Sequence, residues 1–431
     1  MSCLAMPGAS SEHEDRRPES KGTLAVCIAG VLYVLFLAAN IFDMHGDVGI
    51  KYVGFALLIP LALYRREGPK LSAGEILGFV GLFVIWPFIA FMMGVFNGAD
   101  AATAKTATTP FLAVFAALLA VPALGAERGA KYFNYAILMF SCAVAILTIL
   151  LFTGQISILP ALVTRYLEGT AATGSLISPY PFAREDSMLR ERVLLAATLW
   201  LVPASVYFSA TRRWIWSALC LSGLIFAVSK AGIAVALGFL LITLVWNRKG
   251  RIFGLGAVAI GIAGGLFFFP YVLEDVRSAF SSDSDQMALR QGHASSVMTL
   301  MSKHPLYLLV GQGAGTEFYS TGTHNWESRM EVDHVDAVRQ YGLFWFLIFS
   351  WLCGRTAVRL IRSGEPEKKA NGWALASMYV VGGTNPALMT PLFMFYLAVC
   401  YLLSRQPHGP TSATASSAEG VPIANLDIQR A

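Results

Sequence analysis

The side chains of this sequence that are best suited to chemistry are concentrated between Asp285 and Gly342. Four of the seven histidines lie in this segment, and several carboxylates accompany them. An imidazole or a carboxylate can take the proton of a hydroxyl group, so the segment predicts general acid–base chemistry. The candidate bases are His324, Glu331, Asp333 and His334. Their types and spacing leave open which of the four acts.

Arginines suited to binding an anion accompany these candidate bases. Arg290 lies in the same segment, and Arg184 and Arg190 lie in an earlier polar stretch. A guanidinium binds phosphate through two parallel hydrogen bonds and can stabilise a departing pyrophosphate, as a divalent cation does elsewhere. With a base, these arginines fit transfer of a glycan from a lipid-linked pyrophosphate to a sugar hydroxyl. Asp336 and Arg339 also fit an ordinary helix pair at three-residue spacing.

Spacing disfavours two other kinds of site. The sequence has no His-Glu-x-x-His motif and no metal-binding cysteine pair, so neither a metal nor a cofactor is predicted. The motif Gly311-x-Gly313-x-Gly315 lacks the spacing and the preceding buried strand of a nucleotide-binding loop. It predicts a turn whose backbone approaches a ligand or a helix end.

The composition of the chain indicates which kind of structure must position these residues. Hydrophobic residues make up 55% of the chain and charged residues 14%, whereas a soluble domain is about 25% charged. This excludes a soluble globular enzyme and predicts an all-α, polytopic integral membrane protein. Since a helix needs about 20 apolar residues to cross the bilayer, about twelve transmembrane helices are expected. They are predicted near 23–42, 49–64, 73–96, 107–124, 133–153, 191–209, 214–229, 231–246, 252–270, 338–354, 372–384 and 388–404.

The distribution of lysine and arginine predicts the orientation. With twelve spans, the basic short loops all lie on one side, which is the cytoplasmic side, and both termini lie there too. Two long, partly helical loops, at 153–190 and 271–337, then face the periplasm of a bacterial inner membrane. The predicted units are a cytoplasmic tail at 1–22, a membrane domain at 23–405 and a disordered cytoplasmic tail at 406–431. The basic residues form no single stripe, so no nucleic acid partner is expected.

Four short motifs follow one another along the chain in a defined order. They are Ser229-Lys230-Ala231-Gly232 at a break between two spans, Arg290 before an amphipathic helix that ends in Ser302-Lys303-His304-Pro305-Leu306, the turn Gly311-x-Gly313-x-Gly315-x-x-Phe318, and the segment from Glu331 to Tyr341-Gly342-Leu343 that enters the next span. In this order they resemble the O-antigen polymerase/O-antigen ligase superfamily of bacterial membrane glycosyltransferases. The resemblance covers residues 215–355, and the rest of the chain resembles the family by topology alone.

The resemblance implies a metal-independent glycosyltransferase. Such an enzyme joins undecaprenyl-pyrophosphate-linked oligosaccharide repeat units into a surface polysaccharide at the periplasmic face of the inner membrane. The predicted pyrophosphate ligands are Arg290 and Lys230, which lie within these motifs, and Arg184 and Arg190, which lie in the predicted outward loop at 153–190. The implied partners are the lipid-linked glycan donor and acceptor, membrane lipids and a chain-length regulator.

The sequence departs from the ligase branch of the family. Counted back from Gly342, Glu331 stands where that branch usually has His-Asn, and Trp345 replaces the second glycine of its Gly-x-x-Gly. A polymerase is therefore favoured, and a ligase that transfers glycan to a lipid acceptor is the alternative. The alternative from another class is a transporter, which would place more ionisable residues inside the spans. Phe344 and Trp345 are expected to face lipid or the membrane interface.

Overall fold

The computed structural model describes residues 19–42, 56, 71–124, 126–152, 177–179, 191–193, 196–227, 229–246, 285–330 and 332–406. Helices account for 81% of these residues, which agrees with the predicted all-α class. Within the described ranges, four helices are long and apolar enough to cross a membrane, and several apolar helices are shorter. The four are Ala73–Phe96, Ala101–Val121, Arg128–Leu150 and Asp333–Ile361. These helices are consistent with a membrane protein.

Thirteen helices and four short strands are named here in chain order. The helices are α1 (Glu19–Phe42), α2 (Ala73–Phe96, π-helical over Gly81–Ile85), α3 (Ala101–Thr108), α4 (Leu112–Leu124), α5 (Ala126–Phe152), α6 (Leu201–Ala210), α7 (Trp214–Phe226), α8 (Lys230–Trp246), α9 (Asp285–Lys303), α10 (Pro305–Val310), α11 (Asp333–Ile361), α12 (Pro366–Val381) and α13 (Pro391–Arg405). The strands are β1 (Ile177–Pro179) and β2 (Glu191–Val193), and β3 (Phe318–Ser320) and β4 (Asn325–Glu327). Each pair is antiparallel.

Several helices begin at residues that satisfy the free N–H groups of a first turn. Ser72 and Glu75 form a capping box at α2, in which each side chain accepts a backbone N–H of the other residue. Asp100 caps α3 by accepting the N–H of Thr103 at 2.9 Å. That hydrogen bond holds the pKa of the Asp100 carboxyl below its ordinary value. Thr390 caps α13 in the same way, so local sequence fixes where these helices start.

The centre of the helical assembly is α13. Its side chains are buried along nearly its whole length, and it contacts α1, α4, α5, α11 and α12. A helix that is apolar all round belongs in such a central position. At its C-terminal end, Arg405 pairs with Glu75 and the Tyr401 hydroxyl donates to the same carboxylate. These contacts join the end of α13 to the beginning of α2.

Gly342 divides α11 into two parts. Its φ of 84° and ψ of 157° interrupt the helix between a polar first part and an apolar second part. Only glycine adopts this conformation readily, and a Cβ here would collide with the carbonyl oxygen of Leu309. The interruption therefore allows α10 to pack directly against the backbone of α11.

Two sequence predictions differ from the structure. Trp345 is fully buried and donates its indole N–H to the Leu82 carbonyl at 2.9 Å, whereas Phe344 is 56% exposed as expected. Successive helical residues point about 100° apart, so both aromatic rings could not face lipid. In the predicted span 191–209, residues 191–193 form strand β2 and helix begins only with a 3₁₀ turn at Ala196–Trp200.

Some predicted boundaries can be compared directly with the helices, whereas others lie outside the described residues. Helix α1 begins at Glu19, inside the predicted tail 1–22, and α13 ends at Arg405. The predicted span 252–270, nearly all of 49–64, and residues 407–431 lie outside the described residues.

Candidate functional site

The polar segment picked out by the sequence forms one layer at the end of α2. It comprises α9, α10, the glycine-rich turn, the β3–β4 hairpin and the first part of α11, and we call residues 285–330 and 332–341 the polar head. At its last turn, α2 is joined to it by Asn97, whose side-chain amide donates to the Gln312 carbonyl at 2.6 Å. The other end of α2 carries Glu75, which binds Arg405. The polar head and the end of α13 therefore lie at opposite ends of α2.

The glycine-rich turn packs against helices. Gly313 and Gly315 have φ values of 108° and 72°. A Cβ at Gly315 would lie 2.6 Å from the backbone nitrogen of Ala104 in α3, and the N–H of Ala314 donates to the Ala90 carbonyl of α2 at 2.8 Å. The sequence predicted approach to a ligand or to a helix. The structure shows close approach to helices, which fixes the polar head on α2 and α3.

Arg339 is the centre of a buried polar cluster and is itself fully buried. Its Nε donates to Asp336 Oδ1 at 2.8 Å, and its Nη2 donates to the Ser328 carbonyl at 2.8 Å. Its Nη1 donates to the Thr316 carbonyl at 2.6 Å, and the guanidinium lies 4.9 Å from the centre of the Phe318 ring. Nη1 also donates to Gln312 Oε1 at 3.2 Å, and Nη2 also contacts Asp336 Oδ1 at 2.7 Å. Arg339 therefore holds both ends of the β3–β4 hairpin, and its five N–H donors are all used within the protein.

Sequence reasoning underestimated this cluster. Their three-residue spacing allowed Asp336 and Arg339 to form an ordinary helix pair, and they do form a pair. An exposed pair contributes only about 0.2–0.5 kcal/mol, whereas this one is buried. Gln340 completes it by donating to Asp336 at 2.7 Å and accepting the N–H of Gly315 at 3.0 Å. The available signal was that residues 336, 339 and 340 share one helical face, so three adjacent polar groups had to find partners together.

Asp333 connects the start of α11 to the break between α12 and α13. Its Oδ2 accepts the backbone N–H groups of Ala387 and Leu388, each at 2.5 Å. The residue is only 4% exposed. Two N–H donors stabilise a buried carboxylate, so this candidate base is held in an anchoring position where a sugar hydroxyl has little access.

His334, the next residue, is oriented differently and is only half-buried. Its Nε2 lies 3.1 Å from the carbonyl oxygen of Tyr379. Because a carbonyl can only accept, this contact assigns the hydrogen to Nε2 and leaves a lone pair on Nδ1 of the neutral ring. Nδ1 lies beside Gly383, where an added Cβ would be 3.2 Å away. The orientation of His334 therefore leaves Nδ1 able to accept a proton.

The other candidate bases have different positions. His324 is exposed in the turn between β3 and β4, with a φ of 55°. Its left-handed backbone conformation is explained by the turn. Glu331 lies outside the described residues.

Of the four predicted pyrophosphate ligands, the structure describes the backbone of two. Arg290 is partly exposed and lies within α9, which starts at Asp285, earlier than the sequence predicted. Residues 285–289 contain no glycine or proline, so the helix extends back through them. Lys230 is the first residue of α8, which agrees with the predicted break after α7, and its side chain is not described. Arg184 and Arg190 lie outside the described residues.

The structure brings Asp333 and His334 together at the break between α12 and α13, while Arg290 and His324 lie on α9 and in the hairpin turn. Among the described residues, no three His, Cys, Asp or Glu side chains gather into a metal-binding group. No protein-family model matches this chain, and no curated protein is similar to it in sequence. Its function must therefore be inferred from the chemistry of the polar head.

Proposed function

We propose that this protein is a metal-independent membrane glycosyltransferase of the polymerase type. It joins undecaprenyl-pyrophosphate-linked repeat units into a surface polysaccharide at the periplasmic face of the inner membrane. The observation that supports this best is the orientation of His334, whose Nε2 is held by the Tyr379 carbonyl so that a lone pair remains on Nδ1, beside Gly383. A positioned base of this kind is what activation of a sugar hydroxyl requires.

In the proposed reaction, His334 Nδ1 takes the proton of an acceptor sugar hydroxyl. The hydroxyl oxygen forms a bond to the anomeric carbon of the donor glycan, and the bond from that carbon to the pyrophosphate oxygen breaks. The electron pair leaves with the lipid pyrophosphate, whose charge arginine can stabilise. Arg290, with Arg184, Arg190 and Lys230, supplies this positive charge in the proposal. The resemblance described above is the basis for assigning Arg290 and Lys230, and the predicted outward loop at 153–190 is the basis for including Arg184 and Arg190.

The proposal includes twelve spans, two long periplasmic loops and cytoplasmic termini. It is supported by α2, a 24-residue helix that contacts the polar head along its later turns, from Trp86 to Asn97, and Arg405 through Glu75 in its first turn. A helix of this length extends about 36 Å, enough to cross the hydrocarbon core. Basic residues lie in the last turns of α11, just after it and in the first turn of α12, as expected at the cytoplasmic side of a membrane. They are Arg355, Arg359, Arg362, Lys368 and Lys369.

Reporter fusions test this orientation. A reporter fused after Lys249 or Lys368 is expected to report the cytoplasm. A cysteine placed at Asn325, an exposed residue at the start of β4, is expected to react with a membrane-impermeant maleimide in whole cells. An Asn325→Cys variant that reacts only after the membrane is broken would overturn the proposed chemistry, which takes place on the outer side.

Lipid-linked intermediates in the native host test the reaction itself. Deleting the gene is expected to stop polymerisation, so single repeat units should accumulate on undecaprenyl pyrophosphate and the surface glycan should shrink to one unit. Mass spectrometry of the lipid extract and gel analysis of the surface glycan measure this. Long polymer trapped on the lipid carrier would indicate a ligase instead. Single repeat units confined to the cytoplasmic leaflet would indicate a transporter.

Purified protein gives a second test with defined substrates. In liposomes containing lipid-linked repeat units, the full chain is expected to form a ladder of longer glycans on the lipid. The partners in this reaction are the lipid-linked donor and acceptor and the surrounding membrane lipids. A chain-length regulator is expected to change the length distribution without being needed for the first bond.

A further inference from the structure

The β3–β4 hairpin displays two aromatic rings on its outer surface. Tyr319 and Trp326 are direct cross-strand partners, and their ring centroids lie 5.9 Å apart in an edge-to-face arrangement. Tyr319 is 47% exposed and Trp326 is 61% exposed. The neighbouring positions Phe318 and Ser320 are buried on the opposite side. Side chains alternate along a strand, so one face of the hairpin is fixed in the polar head and the other presents the aromatic pair.

The hairpin that carries this pair is fixed at several points. Arg339 binds the carbonyl before β3 and the carbonyl after β4. At the turn, the Thr321 hydroxyl donates to the Gly292 carbonyl at 3.0 Å, and the Thr321 N–H donates to the Ser296 hydroxyl at 2.9 Å. Gly322 packs closely against the backbone of Leu289. The two rings are therefore presented by a support that loses little conformational freedom when a ligand binds.

Polar and charged groups surround the aromatic pair. Glu317, two residues before Tyr319, is exposed, and so are His324 and Asn325 on the other strand and its turn. Carboxylates and amides next to the rings oppose insertion into hydrocarbon. They are complementary to a sugar, which has an apolar C–H face that packs on an aromatic ring and hydroxyl groups that donate to carboxylates.

A second exposed apolar surface of the polar head has the opposite character. Helix α10 exposes Leu306 by 71% and Leu309 by 53%, and a Cβ at Gly342 would meet the backbone of Leu309. Just beyond Gly342, Phe344 and Leu347 of the apolar part of α11 are also more than half exposed. This aliphatic surface continues that of a candidate membrane span, as a lipid contact would. The aromatic pair has polar neighbours instead.

We propose that Tyr319 and Trp326 form a stacking platform for sugar rings of the glycan chain. This inference rests on the proposed function and specifies how its substrate is held. The platform binds glycan residues near the reacting end and leaves the chemistry to the base. Because Arg339 joins the hairpin to α11, which carries His334, glycan bound on the platform is held at a fixed distance from the proposed base.

Glycan binding by purified full-length protein tests the platform. The probe is a set of oligosaccharide fragments cut from the surface polysaccharide of the native host, and binding is measured by saturation-transfer NMR and calorimetry. Trp326→Ala and Tyr319→Ala are each expected to weaken binding by roughly fivefold, and Trp326→Phe should keep most of it. Leu306→Ala on α10 is the matched control and should leave glycan binding unchanged. Unchanged binding by both alanine variants would overturn the platform.

Two further measurements separate the possible failures. Wild-type protein that makes polymer, combined with alanine variants that bind fragments normally, would reject the platform and keep the proposed function. Wild-type protein that binds fragments through Trp326 but forms no polymer would reject the polymerase and keep the platform. Brominated lipids should quench wild-type and Trp326→Phe fluorescence to the same extent. Quenching that disappears in Trp326→Phe would show that this ring contacts the bilayer, which also overturns the platform.

Discussion

Arg339 and His334 lie in the same polar part of α11, and their polar atoms are used in different ways. Arg339 is fully buried, and its nitrogens are engaged with Asp336, Thr316 and Ser328. His334 is half-buried, and its Nε2 binds the Tyr379 carbonyl while the orientation of the ring leaves a lone pair on Nδ1. The guanidinium of Arg339 is fully hydrogen-bonded within the protein, whereas the imidazole of His334 is hydrogen-bonded through one nitrogen.

This difference separates structural from chemical roles. Removing a buried, fully bonded charge leaves its partners unpaired, so its main effect is on folding. Removing a side chain that is positioned but incompletely bonded leaves the fold intact and changes what can bind or react. The polar head therefore contains both a buried scaffold around Arg339 and an accessible edge at His334.

The largest expected effect tests the scaffold. Arg339→Met leaves Asp336 buried without its cation and releases both ends of the hairpin, which should destabilise the protein by about 3–5 kcal/mol. Thermal unfolding and yield of the detergent-purified protein measure this. Arg329→Met, at an exposed arginine of the same head, is the matched control and should be nearly neutral. Similar stability of the two variants would mean that the buried cluster does not hold the head together.

The next largest effect is expected at His334, on the accessible edge of the polar head. His334→Gln can still donate to the Tyr379 carbonyl but offers no basic nitrogen. Polymer formation should fall by about 10²- to 10⁴-fold, the usual contribution of a general base, while the unfolding temperature stays the same. His304→Gln, at an exposed histidine of the same head, should retain activity. Full activity of His334→Gln would move the role of base to Glu331 or His324.

Arg290 tests whether an arginine outside the buried cluster binds the substrate. Arg290→Lys keeps the charge but loses the planar fork that fits phosphate. If the contact is made mainly in the transition state, the rate should fall by about 30- to 1,000-fold, or about 2–4 kcal/mol. Lys303→Ala, at an exposed residue of the same helix, should have little effect. Wild-type polymer yield from Arg290→Lys would show that this arginine is not a phosphate ligand.

Two glycines of α11 extend the comparison from side chains to backbone conformation. Gly342 has a positive φ and lies against Leu309, whereas a Cβ at Gly354 would meet nothing within 4 Å. Gly342→Ala should cost about 1–3 kcal/mol from backbone strain alone, with a further cost from the collision. Gly354→Ala should be neutral or slightly stabilising. Equal unfolding temperatures for the two variants would contradict the interruption of the helix at Gly342.

The smallest expected effect is that of a chelator on the rate of polymer formation. In the proposed chemistry, arginines neutralise the pyrophosphate, so EDTA should leave the rate of polymer formation from purified lipid-linked substrate unchanged. A rate that is lost with EDTA and restored by Mg²⁺ or Mn²⁺ would show that a divalent cation does the work assigned to Arg290.

The sequence by itself determined the class of the protein and the location of its polar segment. Apolar runs of helical length predicted the helices, because hydrophobic length is a local property that one stretch of chain reveals. The glycine motif predicted a close backbone approach for the same reason, since Gly313 and Gly315 need conformations that other residues avoid. The break before Lys230 was also visible in the local sequence.

Only the tertiary structure decided which polar residues are buried and which remain available. Asp333 is held by Ala387 and Leu388, more than 50 positions along the chain, and Trp345 donates to Leu82, which is still further away. No local pattern specifies such partners, because they depend on how helices pack against one another. Asp333 and His334 are adjacent in sequence, and packing alone made one an internal anchor and left the other with a nitrogen free to take a proton.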